Sequence, residues 1–367
     1  MDAFNAALIE QIYSAGLIPE LWPDIIDLMS ARMQARGGSL FILSDGQLSW
    51  DAPISTKAIM ERYIAEGWDR NNPRLSGLLK LAHPGFIQDR HVTEEGYDDL
   101  PIVRDFLRPN GIAFTAATVV SGPGDDLAVF SVDRDVPAGQ FSPEDIAWLD
   151  SLRPHLSRSI ALAGRLKMQQ ARSAVSALQM VGVPAAIVAG NRSIAATNSL
   201  FDALAGSIFL PSAFGRLALK DARADKVLQA VISAGIDVPA IRSIPIAGGG
   251  GIAGVLHAIP SSRQANDILG AGGTLLVLAQ AKEIASVEPQ WLKWLYDLSP
   301  AEANVASRLT RGQAIDDIAV EIGVSQETVR TQVKAVLSKS GFKSKADFAR
   351  VASSLNALDP RLFTSTP

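Results

Sequence analysis

The apolar positions of the first 165 residues change period as the chain advances. Phe4, Leu8, Ile9, Ile12 and Tyr13 recur at helical spacing, and the stretch from Leu21 to Met33 does so again. The pattern then shortens to that of strands. SLFILSDGQLSW (39–50) places Asp45-Gly46 between two alternating apolar runs, a hairpin signal. After a polar, proline-containing middle (64–110), AFTAATVV and DLAVFSVDR predict two more strands joined by the GPGDD turn at 122–126. A helix closes the segment: Phe141 precedes Ser142 as N-cap, Pro143 takes the first helical position, and Glu144 lies in the first turn. Helices around a short antiparallel sheet make residues 1–165 an α+β unit.

Helical spacing continues over 154–180 through Leu152, Leu156, Ile160, Leu162, Leu166, Val175 and Leu178. Such a connecting helix is either a dimer seam and signal rod or an ordinary packing helix. No heptad is held long enough to decide. Residues 181–282 form a second α+β stretch. VPAAIVAGNRSIAATNSLFDAL gives strand, Gly-Asn turn, strand and helix, and after these come a helix (225–234) and strands at 241–247, 252–259 and 273–279. The final segment, 290–358, begins with an apolar cluster of Trp291, Leu292, Trp294 and Leu295, expected to pack the helical tail or its linker.

That tail spells four helices. Ser299, Pro300 and Glu302 form a capping box, and Gly312 ends the first helix. The second, 314–322, is amphipathic through Ile315, Ile318, Ala319 and Ile322, and Gly323 supplies a tight turn. Ser325 caps the third, whose Val329, Val333, Val336 and Leu337 face inward; Gln326, Arg330, Thr331, Lys334 and Ser338 face outward. Two helices joined at a glycine, the second presenting Arg and Lys, make a helix-turn-helix. Its outward face suits a major groove of about 12 Å, where Arg or Lys bonds guanine O6 and N7.

Charge sharpens this. The whole chain carries −4, yet 298–355 carries +2, and between Ser325 and Lys345 five basic residues face Glu327 alone. A local basic face on an acidic chain implies a polyanionic partner for that face. The absence of cysteine excludes disulfides, thiolate metal sites and thiol nucleophiles, and fits a cytoplasmic location. The start lacks a basic region ahead of an apolar one, and the longest apolar run, 269–281, is broken by three glycines, so neither a signal peptide nor a membrane partner is expected.

The tail resembles the LuxR-type helix-turn-helix: LSPAE at its start, DIAVEIGVSQETV in its middle and KSGFKSK at its end. The resemblance implies that Arg330, Thr331 and Lys334 face base edges. It also implies that Ser325, Thr328, Lys339 and Lys345 support phosphate contact or helix orientation. Two positions depart from the family: Gln332 stands where His is common, and Ser340 where Leu is common. Gln332, like Gln326, can still donate a hydrogen bond to DNA. GGSLFIL, VRDFLRPNGIAFTAATVVSGPGDDLAVFSVDR and GQFSPEDIAWLDSLRPHLSRSI are similar to GAF-like sensor domains, so 1–165 is expected to be GAF-like. Gly67-Trp68-Asp69-Arg70-Asn71-Asn72-Pro73 also resembles the autoinducer-binding domain of quorum-sensing LuxR proteins. In that family an Asp before the Pro holds the ligand's amide, and the presence of Asn72 does not favour an acyl-homoserine lactone. Tyr63, Trp68 and Asn72 are the candidate ligand residues there. The order of elements over 181–282 resembles a PAS domain, with Asn198 where many such domains carry Asn.

Other chemistry falls away on inspection. IAGGGGIAG lacks Gly-Lys-Ser/Thr, so it is read as a hairpin turn, not a P-loop. His83, His91, His155 and His257 lack metal spacing; His257 in a PAS strand is a haem ligand or, more simply, a packed or surface residue. Asp98-Asp99 and Asp125-Asp126 read as solvated turns. With no nucleophile motif or metal cluster, neither an enzyme nor a cofactor is expected. The sequence thus predicts a homodimeric DNA-binding regulator of transcription, its N-terminal domains receiving a small-molecule or protein signal. The alternative is a protein-interaction module whose tail binds another regulator or RNA polymerase.

Overall fold

The computed structural model describes residues 3–44, 47–70, 72–92, 96–122, 126–210, 215–233, 241–248, 251–260, 273–280 and 287–354. The turn residues Asp45-Gly46, 123–125 and 249–250 and the end of the last expected segment lie outside them.

Along the chain the elements are α1 (Ala3–Ala15), α2 (Trp22–Arg32), β1 (Gly37–Ser44), β2 (Gln47–Asp51), α3 (Ile54–Ala65), α4 (Pro73–Leu81), β3 (Ile87–Gln88), β4 (Phe114–Ser121), β5 (Leu127–Arg134) and α5 (Pro143–Met180). The five strands form one antiparallel sheet in the order β2-β1-β5-β4-β3. Period-two alternation decides what each side of that sheet meets. Leu40, Ile42, Ala116, Val120, Ala128, Phe130 and Val132 point one way, into a core closed by α1, α2 and α5. Trp22 and Phe130 meet there with ring centroids 5.1 Å apart. The opposite face, carrying Phe41, Ala117 and Val129, is covered by α3, α4 and the π-helical turn Ile102–Leu107.

The closing helix and the connecting helix, expected as two stretches, are one element. Alpha5 runs 38 residues, starts in a Ser142/Asp145 capping box and contains Pro154 internally. A proline inside a helix removes one backbone donor. The ring lies in a stretch anchored on both sides by Leu149, Leu152, Leu156 and Ile160, all buried in the first core, so the helix runs through it. Arg134 fixes the start of α5. Its guanidinium donates to the carbonyls of Met33 and Gln140 (2.8 and 3.0 Å), pairs with Asp145 at 3.0 Å, and stacks on Phe141.

The end of α5 enters the next region through Val175, which packs with Ala185 and Ala196. That region contains β6 (Ala185–Val188), β7 (Ile194–Thr197), α6 (Ser199–Asp202), β8 (Phe209–Leu210), β9 (Ala218–Leu219), α7 (Ala222–Ser233), β10 (Arg242–Gly248), β11 (Gly251–Pro260) and β12 (Thr274–Gln280). Its main sheet is antiparallel, ordered β10-β11-β12-β6-β7. Asn198 is 3% exposed and tied in on all sides. Its Nδ2 donates to the carbonyls of Val175 and Val183, and its Oδ1 accepts from the amides of Ala185 and Phe201. One side chain thereby joins α5, β6 and α6.

The last region is helical: α8 (Pro289–Tyr296), α9 (Pro300–Thr310), α10 (Ile315–Ile322), α11 (Gln326–Ser340) and α12 (Lys345–Ser353). Its core gathers Leu292, Val305, Leu309, Ile318, Val329, Val333, Val336 and Phe348, with Tyr296, Phe342 and Phe348 in edge-to-face contact. Of the four residues expected to pack this region, Leu292 is buried and Trp291 half-buried. Trp294 and Leu295 are exposed, on the side of this two-turn helix turned from the core.

Candidate nucleic-acid interface and ligand cavity

The helix-turn-helix is built from short-range signals. Alpha10 ends at Gly323, whose φ of 69° is in the left-handed region where a side chain costs about 1 kcal/mol. Ser325 then caps α11 by accepting from the Thr328 amide at 3.1 Å, and the two hydroxyls lie 2.8 Å apart. Val329, Val333 and Val336 bury one stripe of α11. The same spacing leaves Ser325, Gln326, Thr328, Arg330, Thr331 and Lys334 exposed along the other side, with Lys339 and Lys345 exposed further on.

These residues are not equally free. Arg330 leans toward Glu327 at 3.4 Å with 58% of its side chain in solvent, a surface pair that gives way readily. The Thr331 hydroxyl donates to the Glu327 carbonyl. Lys339 Nζ sits 2.7 Å from Glu302 Oε2, the carboxylate that also closes the α9 capping box by accepting from the Ser299 amide. Lys339, first, and the Ser299 amide hold Glu302 below the usual carboxylate range. Gln332 is half-buried and its Oε1 has no partner among the described residues. Lys345 opens α12, where the helix dipole repels a cation, so helix stability does not account for it.

The second feature lies in the N-terminal sheet. A cavity of about 80 Å³ separates the face bearing Phe41 and Val129 from α3, α4 and the Ile102–Leu107 turn. The strand residues along this face are Ser39, Thr115, Ser131 and Asp133, interleaved with apolar ones. Ser39 is opposite Ser131 in the register and their hydroxyls lie 2.8 Å apart. Thr115 is opposite Asp133 and its hydroxyl donates to Asp133 Oδ1 at 2.7 Å. Arg74, in the first turn of α4, donates to that same Thr115 oxygen at 2.8 Å and pairs with Asp89 at 2.7 Å. The Tyr97 hydroxyl donates to the same Asp89 oxygen. Asp89 is 4% and Asp133 8% exposed.

Burial pushes the Asp133 carboxyl up to about 6, against the pull of the Thr115 hydrogen bond and the Arg74 charge. Burial also raises the Tyr63 and Tyr97 phenols above their ordinary value.

The structure places Tyr63 and Asn72 in the cavity wall. Asn72 caps α4 by accepting from the Arg74 amide, while its Nδ2 donates to the Tyr63 hydroxyl at 3.0 Å. Trp68 stands outside the lining: it packs on Phe106 and its indole N–H donates to Glu66. The charged residues of the wall, Arg74, Asp89 and Asp133, do not stand out in the sequence. A signal for Asp133 exists, since it shares a strand face with Val129 and Ser131. It tells only if that face is known to be covered. Of the histidines, His257 lies on β11 with Nδ1 2.9 Å from the Ser243 hydroxyl, and His155 meets the Tyr13 hydroxyl at 3.1 Å. Asp98 pairs with Arg90 and Arg108 at the surface.

Residues 297–352 match the family GerE, "Bacterial regulatory proteins, luxR family". This matched segment is the helix-turn-helix, which lies behind regions built on antiparallel sheets. No curated protein matches the chain. Solved structures that resemble it include the N-acylhomoserine lactone-dependent LuxR family transcription factor CepR2 from Burkholderia cenocepacia. That likeness has 16% identity, covers 45% of this chain and 99% of that one, and has a TM-score of 0.35. The VqsR LBD domain from Pseudomonas aeruginosa is 14% identical over 44% of this chain and 97% of its own, with a TM-score of 0.37. Escherichia coli SdiA is 10% identical over 92% and 91%, with a TM-score of 0.29. At these scores the likeness carries no inference about this chain. Among the described residues, no helix is long and apolar enough to cross a membrane.

Proposed function

We propose that this protein is a sequence-specific, DNA-binding regulator of transcription in which the N-terminal regions receive a signal and the helix-turn-helix delivers it. The observation that carries the reading is α11. Within the luxR-family segment it presents Arg330, Thr331 and Lys334 on one exposed stripe, opposite a buried stripe that fixes its rotation. Arg330 and Lys334 reach base edges. Ser325, Gln326, Thr328, Gln332, Lys339 and Lys345 hold phosphates or orient the helix, Lys339 by exchanging Glu302 for DNA. Two strands, short elements and then three antiparallel strands support a PAS-like reading of 181–282, and helices around an antiparallel sheet support a GAF-like reading of 1–165. The signal enters at the cavity walled by Tyr63 and Asn72. One helix-turn-helix makes few contacts, so the protein works as a homodimer on half-sites about one DNA turn apart. Leu162 and Met168, each 42% exposed on α5, support that helix as the seam.

Electrophoretic mobility shift on genomic fragments tests this. Arg330→Ala is expected to lose about 1–3 kcal/mol of affinity and to relax one base position. Unchanged affinity and preference would remove Arg330 from the reading surface. A second reading, contact with another protein such as RNA polymerase, is favoured by Trp294 and Val320, which are 72% and 84% exposed on the helical region. Salt separates the two: binding to phosphates weakens steeply as salt rises, and an apolar protein contact does not.

A further inference from the structure

We infer that the N-terminal cavity takes a compact organic cation whose N–H groups bond the buried carboxylates Asp89 and Asp133, and not a long acyl chain.

The charges in the wall are unbalanced. Among the described residues lining it, Arg74 is the one cation against two carboxylates, each less than a tenth exposed. Arg74 and Tyr97 both serve Asp89 Oδ2. Asp89 Oδ1 is buried and has no partner, and of the cavity-lining side chains it is the one left so among the described residues. A buried carboxylate oxygen without a donor is costly unless something supplies one. Asp133 likewise has a single neutral partner, the Thr115 hydroxyl. Burial raises its carboxyl above the ordinary value, so a second negative charge here is poorly tolerated without a partner. A bound cation removes both defects: it donates to Asp89 Oδ1 and balances Asp133.

Shape gives the second constraint. The cavity of about 80 Å³ is roughly half the 150 Å³ that admits benzene. It is far too small for an extended acyl chain and suits a molecule of amidine, guanidine or small amine size. Phe41, Leu75 and Val129 line the rest, so the remainder of the ligand is apolar and short.

This inference rests on the reading of the cavity as the signal site, and the test separates the two. The probes are acetamidinium, acetamide and acetate, which share one planar shape and differ in charge, together with an N-acyl homoserine lactone. Each is added to the full chain against matched sodium chloride, and thermal unfolding of the N-terminal region is followed. At about 50 mM, acetamidinium is expected to raise Tm by about 2–4 °C, acetamide less and acetate not at all. The rise is expected to vanish in Asp89→Asn. Asp133→Asn serves as the second variant, since its amide oxygen still accepts from Thr115, and it is expected to weaken acetamidinium at least about tenfold by removing one charge contact. An equal rise with acetate would overturn the cation and leave a ligand site centred on Arg74. A rise with the lactone alone would overturn the cation and leave the sensor reading standing. No rise with any probe, or an undiminished rise in both variants, would overturn the inference, and the former would overturn the signal site with it.

Discussion

In each of the two five-stranded sheets the first strand lies between the second and the fifth, and the fourth separates the fifth from the third. The faces covered by the helices that lead from the second strand to the third are nevertheless filled in opposite ways. Beneath α7, the second sheet presents Ala186, Val188, Ile244, Ile246, Leu256, Ala258, Leu276 and Leu278, closed by the stacked Phe201 and Phe209. Beneath α3 and α4, the first sheet presents Ser39, Thr115, Ser131 and Asp133 around a cavity. A shared strand order therefore does not dictate a shared role. The apolar floor gains stability from burial alone. The polar floor needs partners for every group, and among its described lining residues Asp89 Oδ1 is buried without one.

The sharpest way to break the contrast is to place a charge in the apolar floor. Leu256→Asp, at a position with no exposure, is expected to cost about 4 kcal/mol or more and to unfold the second region in urea while the first keeps its transition. A loss below about 1 kcal/mol would mean that this floor tolerates charge as the first one does.

Next comes removal of the single cation from the polar floor. Arg74→Ala leaves Asp89 buried beside Asp133, and is expected to cost about 3–5 kcal/mol in the first region's unfolding transition. A surface-like loss under about 1 kcal/mol would show the pair to be solvated.

The third sharpens the contrast through pH. Asp133 binds its proton more tightly folded, at about 6, than its ordinary value of 3.8. Its contribution to stability is therefore fully present below the lower value and lost as pH rises through the upper one. Asp145 and Asp225, held low, contribute with the opposite sign, but equally in both proteins compared. Asp133→Asn, neutral at every pH, is expected to gain stability relative to wild type as pH rises from 4 to 7, because only the wild type then takes on the buried charge, measured as urea midpoints. Parallel profiles would mean that Asp133 titrates normally.

The smallest effect is expected of Ser131→Ala, which breaks the Ser39–Ser131 hydroxyl pair at a cost of about 1 kcal/mol. The same measurement checks it, and a stabilised variant would show the polar ladder to be dispensable.

The contrast also explains what the sequence could reveal. The helix-turn-helix was legible because its signals act within a few residues: the Ser299 and Ser325 caps, the left-handed Gly323 and the Val329/Val333/Val336 stripe. Most strands of both sheets were legible from period, but α3, α4 and β3 were not, because the stretch that holds them reads as polar and proline-broken. The continuity of α5 was not, because Pro154 reads as a start when its neighbours' burial is unknown. The cavity was legible only in part. Tyr63 and Asn72 stand in it, but Arg74, Asp89 and Asp133 meet across strands and helices far apart in the chain, and charge on a strand reads as solvated until both faces are known to be covered.

The proposed function stands or falls with α11 as a reader of DNA. Purified full-length protein and its Arg330→Ala/Lys334→Ala variant are each mixed with sheared genomic DNA, and the retained fragments sequenced. Enrichment of one short two-fold motif by the wild type is expected, lost in the variant and weakened steeply by salt. Enrichment of the same motif by both proteins would show that α11 does not read it.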